Sequence, residues 1–249
     1  MSGKILGHIS DSASPDLNLL LDNIDIVRSG LIVHYDMMNT DSYPRAGSFV
    51  NDLTGLGHTG SLGLPTSFTF TADGGISFNG TTGQLSYGLT IPEAMTHVIY
   101  AKSNVSLWND YNLLGANRGL NGWSMHTWQS STDISFGFSG NDGSTASVTI
   151  TPSVSITTPH MYAITTNGSS SNFAYIDTTE YAMTVTPVFP APSMVRDGIT
   201  VSDMHIANDD APYSTRHGNI TVYVHLLYNR QLSKAEMIQN YNALKTYTW

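Results

Sequence analysis

Short runs of alternating apolar and polar residues recur along the chain after residue 28. Residues 134–139 alternate apolar side chains with small ones, and residues 220–226 place aliphatic side chains on one face and His225 on the other. A period of two predicts strands with one buried and one solvated face, as in antiparallel sheets. We therefore expect these runs to be strands, with His225 on the solvated face.

Turn residues separate these runs at short intervals. Residues 68–70 and 76–78 flank the turn at 73–75, which predicts a hairpin. Further candidate strands lie at 148–150, 154–156, 173–176 and 199–201. Many short strands with turns every ~8–12 residues are typical of sandwiches. The pattern predicts an all-β fold, a two-sheet antiparallel jelly-roll sandwich.

One segment near the C-terminus has the pattern of a helix. Residues 233–236 form a capping box, in which the serine hydroxyl and the glutamate carboxylate satisfy backbone donors of the first turn. Met237, Ile238, Tyr241 and Leu244 then fall on one stripe. We expect a short C-terminal helix with a structural role, packed on the sandwich.

The first 28 residues differ from the rest of the chain. They contain a dense aliphatic run, whose candidate docking residues are Leu17, Leu19, Leu20, Leu21, Ile24 and Ile26. This segment is predicted either to pack on its own domain or to form an arm that docks on a neighbouring subunit. We accordingly divide the chain into an N-terminal arm, 1–28, and a β-sandwich domain, 29–249.

Composition excludes several classes of protein. Charged residues are 12% of the 249 residues and the formal net charge is −9, so no basic surface is available for nucleic acid. The absence of Cys excludes disulfides, thiolate metal sites and a thiol nucleophile. No run approaches the ~20 apolar residues that span a bilayer. The N-terminus also lacks the continuous apolar region of a signal peptide, so a signal peptide is not expected, which leaves export by another route or release by lysis.

Catalytic motifs are sparse. The three glutamates, Glu93, Glu180 and Glu236, form no clustered carboxylate pair of the kind that glycosidases need. The sequence contains neither a G-x-S-x-G elbow nor an H-E-x-x-H motif. We therefore predict a protein that is not an enzyme and has no cofactor. Calcium is the one possible ion, at the Asx-rich loops 141–143 and 208–210, which are equally ordinary turn formers.

A cluster of aromatic and polar residues in the middle of the chain has the composition of a sugar-binding platform. Sugars stack on aromatic rings while amide and guanidinium groups bind their hydroxyls. The candidate residues are Trp108, Tyr111, Asn117, Arg118, Trp123 and Trp128. The alternative for Trp123 and Trp128 is a position in the core of the sandwich.

Three segments together resemble the concanavalin A-like lectin/laminin-G superfamily. They are residues 29–62, with a D-L-T-G loop; residues 75–80, G-I-S-F-N-G; and residues 227–245, with L-Y-N-R-Q-L-S-K-A-E leading into the helix. They are most similar to the laminin-G-like domains of tailed-phage virion proteins. The resemblance covers residues 29–245 and implies a concanavalin A-like jelly roll.

The resemblance, taken together with the N-terminal arm at 1–28, predicts a bacteriophage virion structural protein without enzymatic activity. Its expected place is the particle surface, as a capsid decoration or cement protein, a head fibre or a tail appendage. It would be anchored as an oligomer to other virion proteins and to its own copies. The alternative is a lectin-like module that binds a cell-surface glycan for host attachment or adhesion.

Overall fold

The computed structural model describes residues 25–106, 113–117, 123–127, 133–139, 144–186, 199–207 and 217–246. These residues form antiparallel strands and one short helix near the C-terminus, which confirms the all-β sandwich predicted from the sequence. Of the candidate arm and platform residues, several lie outside these ranges, and so do the two loops considered for calcium.

The described elements alternate short strands with turns. The strands are β1 (Leu31–Asp36), β2 (Phe49–Val50), β3 (Gly60–Ser61), β4 (Phe68–Phe70), β5 (Ile76–Phe78), β6 (Leu85–Ile91), β7 (Met95–Ser103), β8 (Leu113–Asn117), β9 (Trp123–Thr127), β10 (Ile134–Ser139), β11 (Thr145–Ile150), β12 (His160–Thr166), β13 (Asn172–Ile176), β14 (Thr179–Ala182), β15 (Thr184–Thr186), β16 (Ile199–Ile206) and β17 (Ile220–Tyr228). The helix is α1 (Lys234–Leu244).

Two antiparallel sheets pack face to face. Sheet I has the order β14-β13-β12-β7-β17-β5-β4, and β1 also pairs with β17. Sheet II has the order β15-β11-β10-β9-β8-β16-β6-β3-β2. The three segments that carry the family resemblance meet on sheet I, because β1 and β5 both pair with β17, which leads into α1.

The main core fills the space between the sheets. Alternate side chains of each strand point into it, including Tyr35, Phe78 and Ile99 from sheet I and Trp123 and Phe136 from sheet II. All five are almost completely buried. This is the interior expected of two amphipathic sheets that share one hydrophobic layer.

A second apolar cluster covers the outer face of sheet I. Met237 and Leu244 of α1 pack with Leu226 and with Ile26 and Val27, which precede the first strand. The capping box is present as predicted: Ser233 accepts from the Glu236 backbone N–H, and the Glu236 carboxylate accepts from the Ser233 N–H. The helix has 11 residues. Among the described residues, no helix is long and apolar enough to cross a bilayer.

Strand β17 departs from the predicted alternation. Its register shifts between Val222 and Val224, so the side chains after the bulge change face. His225 therefore points into the sandwich and is fully buried, which makes its predicted solvated position wrong. The opposite face of β17 is buried as well, because α1 covers it.

Candidate functional site

A row of polar side chains crosses the outer face of sheet I at the β4 end. Direct cross-strand pairing aligns Thr69 of β4, Ser77 of β5, Thr221 of β17 and Lys102 of β7. The residues beside them along each strand, such as Phe78 and Val222, point into the core. The period of two therefore places three hydroxyl groups and an amine on one outer face.

Asn104 lies over this row and connects its strands. Its side-chain Nδ2 donates to Ser77 Oγ at 2.9 Å and to Asn219 Oδ1 at 3.1 Å. Its Oδ1 accepts from Thr221 Oγ1 at 2.6 Å. The side chain of Asn104 is thus held by β5, β17 and the segment before β17, so the polar surface is ordered by hydrogen bonds.

A groove of about 230 Å³ runs beside this row. Its walls come from residues 66–69 and 77–79, together with Asn104 and Asn219. These walls combine hydroxyl and amide groups with the apolar surface of Phe68 and Phe78, and they carry no charged side chain. The Thr69 hydroxyl is exposed and has no hydrogen-bond partner within the described residues. Neutral groups of this kind can donate to and accept from the hydroxyls of a polyol.

An ion pair closes the other end of the row. Lys102 Nζ lies 2.5 Å from Asp73 Oδ2, and the Tyr223 hydroxyl donates to the same oxygen at 2.7 Å. Burial opposes ionisation of Asp73, but hydrogen bonds from Lys102, Thr71 and Tyr223 outweigh it and lower its pKa to about 2. The Lys102 amine is therefore paired with the Asp73 carboxylate. Because the two charges offset each other, the surface next to the groove is close to neutral.

The hairpin that presents this surface depends on Gly75. A Cβ at that position would lie 2.8 Å from a ring carbon of Tyr223 and would also collide with Thr221. The absence of a side chain lets the β4–β5 hairpin lie close to β17. The sequence predicted the hairpin, but nothing local pointed to Asn104, whose side-chain partners are 26 to 117 residues away.

The platform residues predicted from the sequence are only partly described. Trp123 begins β9 and is 1% exposed, in contact with His97 in the core. Asn117 ends β8. Trp108, Tyr111, Arg118 and Trp128 lie outside the described residues. For Trp123, the core position is the alternative that the structure shows, and its ring is not accessible to a ligand.

The candidate docking residues are described only at the end of the arm. Ile26 packs on the outer face of sheet I together with Val27, beneath α1. Leu17, Leu19, Leu20, Leu21 and Ile24 lie outside the described residues. Ile26 therefore belongs to the packing of its own chain.

Metal ligation finds no support in the described ranges. No group of three or more His, Asp or Glu side chains there is arranged to hold an ion. The loops 141–143 and 208–210, considered for calcium, are not among the described residues. Among the described residues, the groove is the candidate site.

Several solved structures are similar in fold. A Trypanosoma rangeli sialidase in complex with sialic acid has a TM-score of 0.63 at 14% identity, over 88% of this chain and 33% of the sialidase. The binding domain of botulinum neurotoxin DC in complex with SialylT has a TM-score of 0.62 at 12% identity, over 87% of this chain and 52% of that one. The chain thus spans about a third of the sialidase and half of the toxin domain.

The similarity to sialidases corrects one prediction from the sequence. The chain was expected not to be an enzyme, and that exclusion is contradicted, because the similar structures include a sialidase variant that displays trans-sialidase activity. At 12–15% identity the likeness shows the fold alone. No protein-family model matches the sequence, and no curated protein matches it. The chain is therefore defined by its fold as a two-sheet β-sandwich.

Proposed function

We propose that this chain is a carbohydrate-binding β-sandwich, and that the groove beside β4 and β5 holds the sugar. The observation that carries the proposal is the hydrogen-bonded row of hydroxyl and amide groups along a groove without charged walls. Two of the similar structures are complexes with sialic acid and with SialylT, which supports the same class of ligand.

The geometry favours a neutral part of a glycan in this groove. Its volume of about 230 Å³ is below the ~300–1,000 Å³ of pockets that enclose drug-sized ligands, so it suits a single ring. Lys102 is already paired with Asp73, and none of the residues that line the groove carries a positive charge to bind a sugar carboxylate. A sialylated glycan would then contact the groove through its neutral sugars.

A glycan array followed by titration tests this proposal. The probes are 3′-sialyllactose and lactose, and the variant is Thr69→Val, which removes one exposed hydroxyl and keeps the side-chain shape. Loss of one hydrogen bond of ~1 kcal/mol should raise the dissociation constant about fivefold. The matched control is Thr179→Val on β14, an exposed threonine at the opposite edge of the same sheet.

The outcomes separate the groove from the aromatic platform. Weaker binding by Thr69→Val, with normal binding by Thr179→Val, supports the groove. If Trp108→Ala or Trp128→Ala abolishes binding while Thr69→Val has no effect, the groove is not the site and the aromatic platform is. Binding to no glycan on the array would contradict carbohydrate binding altogether.

We propose as a second function that the chain is a surface component of a virion, in contact with neighbouring subunits. The family resemblance of residues 29–245 supports it. A further observation favours subunit contacts: the large hydrophobic side chains that are exposed among the described residues, Phe49, Leu56 and Leu64, all fall within one 16-residue stretch around β2 and β3. Strand β2 is also an edge of sheet II, where unpaired backbone groups are available.

Particle incorporation and self-association test this second function. A chain lacking residues 1–24 should keep its fold but fail to enter particles if the arm is the anchor. Phe49→Ser and Leu64→Ser should reduce association in sedimentation experiments, with Leu53→Ser, a half-buried residue between them, as a control for loss of folding. Absence of the protein from purified particles by mass spectrometry would refute the virion proposal.

A further inference from the structure

Two histidines lie side by side in the interior of the sandwich. His97 of β7 and His225 of β17 are fully buried, and their ring centroids are 4.5 Å apart. Both belong to sheet I. Across the core, both rings contact sheet II. The ring centroids of His97 and Trp123 are 3.9 Å apart, and His225 Nε2 lies 2.6 Å from the Tyr87 hydroxyl oxygen. The pair is therefore part of the contact that joins the two sheets.

The hydrogen bonds fit two neutral rings. His225 Nδ1 lies 3.3 Å from the Val98 carbonyl, to which it can donate, which leaves Nε2 to accept from Tyr87. Neither ring nitrogen of His97 has a partner in the described part of the chain. A buried cation without a partner is far more costly than a neutral ring. Within the described residues, no carboxylate is hydrogen-bonded to either ring, so a positive charge there has no ionic partner.

The groups around the pair do not compensate a positive charge. Tyr35 and Tyr87 are the titratable neighbours from β1 and β6, and burial raises the pKa of both, so they stay neutral. His34 on β1 and Asp52 act on His225 only through longer-range electrostatics. Burial is the main cause that lowers the pKa of His97, and the neighbouring His225 lowers it further. Burial also lowers the pKa of His225, to about 3.

We infer that the His97–His225 pair is an acid-sensitive contact between the two sheets. Proton uptake by either ring is incompatible with the closed sandwich, so mild acid opens the sheets at this cluster. The inference concerns the fold of this chain and is independent of any sugar in the groove.

The coupling between proton binding and unfolding gives the size and sign of the change in stability with pH. An unfolded histidine takes up its proton below a pKa of ~6.5, whereas the folded rings stay neutral. Each such residue therefore raises the unfolding equilibrium constant up to about tenfold per pH unit as the pH falls below ~6.5. The window from pH 6.0 to 5.0 isolates this effect, because Asp and Glu titrate mostly below it.

The experiment compares the pH dependence of urea unfolding in the full chain and in His97→Phe. Phenylalanine keeps a flat ring, does not titrate and removes no hydrogen bond, but it is larger than imidazole, so the comparison uses the change in stability with pH and not its value at pH 8. Between pH 6.0 and 5.0, the unfolding equilibrium constant of the full chain should therefore rise almost tenfold more than that of the variant. His34 and His217, whose pKa values burial also lowers, contribute equally to both proteins. His58→Gln, at a histidine outside the core, is the matched control, and it should retain the pH dependence that the buried pair contributes.

A second readout places the effect at the cluster. Hydrogen exchange of the β7 and β9 amides should accelerate at pH 5.5 relative to pH 7.5, after correction for intrinsic rates, and should do so less in His97→Phe. If that variant fails to fold, His97→Gln serves the same comparison. An unchanged pH slope in both variants, or NMR signals of a protonated His97 ring in the folded chain at pH 5.5, would overturn the inference.

Discussion

Asn240 is a buried polar residue that holds three parts of the chain together. Its Oδ1 accepts from the Val27 backbone N–H at 2.9 Å, and its Nδ2 donates to the Tyr228 hydroxyl at 3.1 Å. That hydroxyl in turn donates to the Val27 carbonyl at 3.1 Å. The start of the domain, the end of β17 and the middle of α1 are therefore joined by one closed set of hydrogen bonds.

Replacing Asn240 by alanine should destabilise the protein. The Val27 N–H would be left buried without a partner, and Tyr228 would lose a donor, so we expect a loss of about 2–4 kcal/mol in the free energy of unfolding. Urea denaturation measures it. Asn242→Ala, two residues further along the same helix and half-buried without such bonds, is the control and should cost less than 1 kcal/mol. Equal effects of the two variants would contradict the role given to Asn240.

At the scale of elements, α1 is fixed by charge as well as by its apolar face. Glu236 completes the capping box and also forms two hydrogen bonds with the Arg230 guanidinium, at 2.6 and 3.1 Å. The hydrogen bond from Arg230 is the main cause that lowers the pKa of Glu236 to about 2. The end of β17 and the start of α1 are thus joined through a single carboxylate.

This carboxylate should make stability depend on pH in the acid range. Its ordinary pKa of 4.5 falls to about 2 in the folded chain, so its contribution is present above pH 4.5 and is lost as the pH falls towards 2. Glu236→Gln should cost about 1–2 kcal/mol at pH 7 and flatten the stability profile between pH 4.5 and 2. Glu93→Gln, at an exposed glutamate, is the matched control. An unaltered acid profile in Glu236→Gln would refute this assignment.

Most elements that follow from local sequence were predicted, but the strand expected at 154–156 is wrong, because these residues form the connection between β11 and β12. Features that depend on distant contacts were not predicted. The hairpin around Asp73 and the capping box at Ser233 depend only on residues close together in the sequence, so the sequence pattern alone identifies them. His225 was placed on the wrong face because the bulge after Val222 is fixed by pairing with β7, more than 100 residues away. Asn104 resembles an ordinary loop residue until the fold brings its partners together.

For the whole molecule, the central strands of sheet I are buried on both faces beneath α1, and this explains why they are apolar on both sides. One face meets sheet II, and the other is covered by α1 and by Ile26 and Val27. The segment just before β1 is therefore a part of the second core. Gln239 Nε2 of α1 also donates to the Asp25 carbonyl at 2.9 Å, so contacts with the body extend to the first described residue.

Two truncations test where the folded domain begins. Removal of residues 1–24 keeps every described contact of Ile26 and Val27, and on those contacts we expect the free energy of unfolding to be unchanged within about 0.5 kcal/mol. Removal of residues 1–28 deletes both buried side chains and leaves Asn240 without its backbone donor, and should cost about 3–5 kcal/mol. Urea unfolding of the two truncated chains beside the full chain gives both values. Equal stability of the two truncated chains would place the domain boundary after residue 28, as the sequence pattern predicted. A large loss on removing residues 1–24 alone would show that the earlier residues also support the domain.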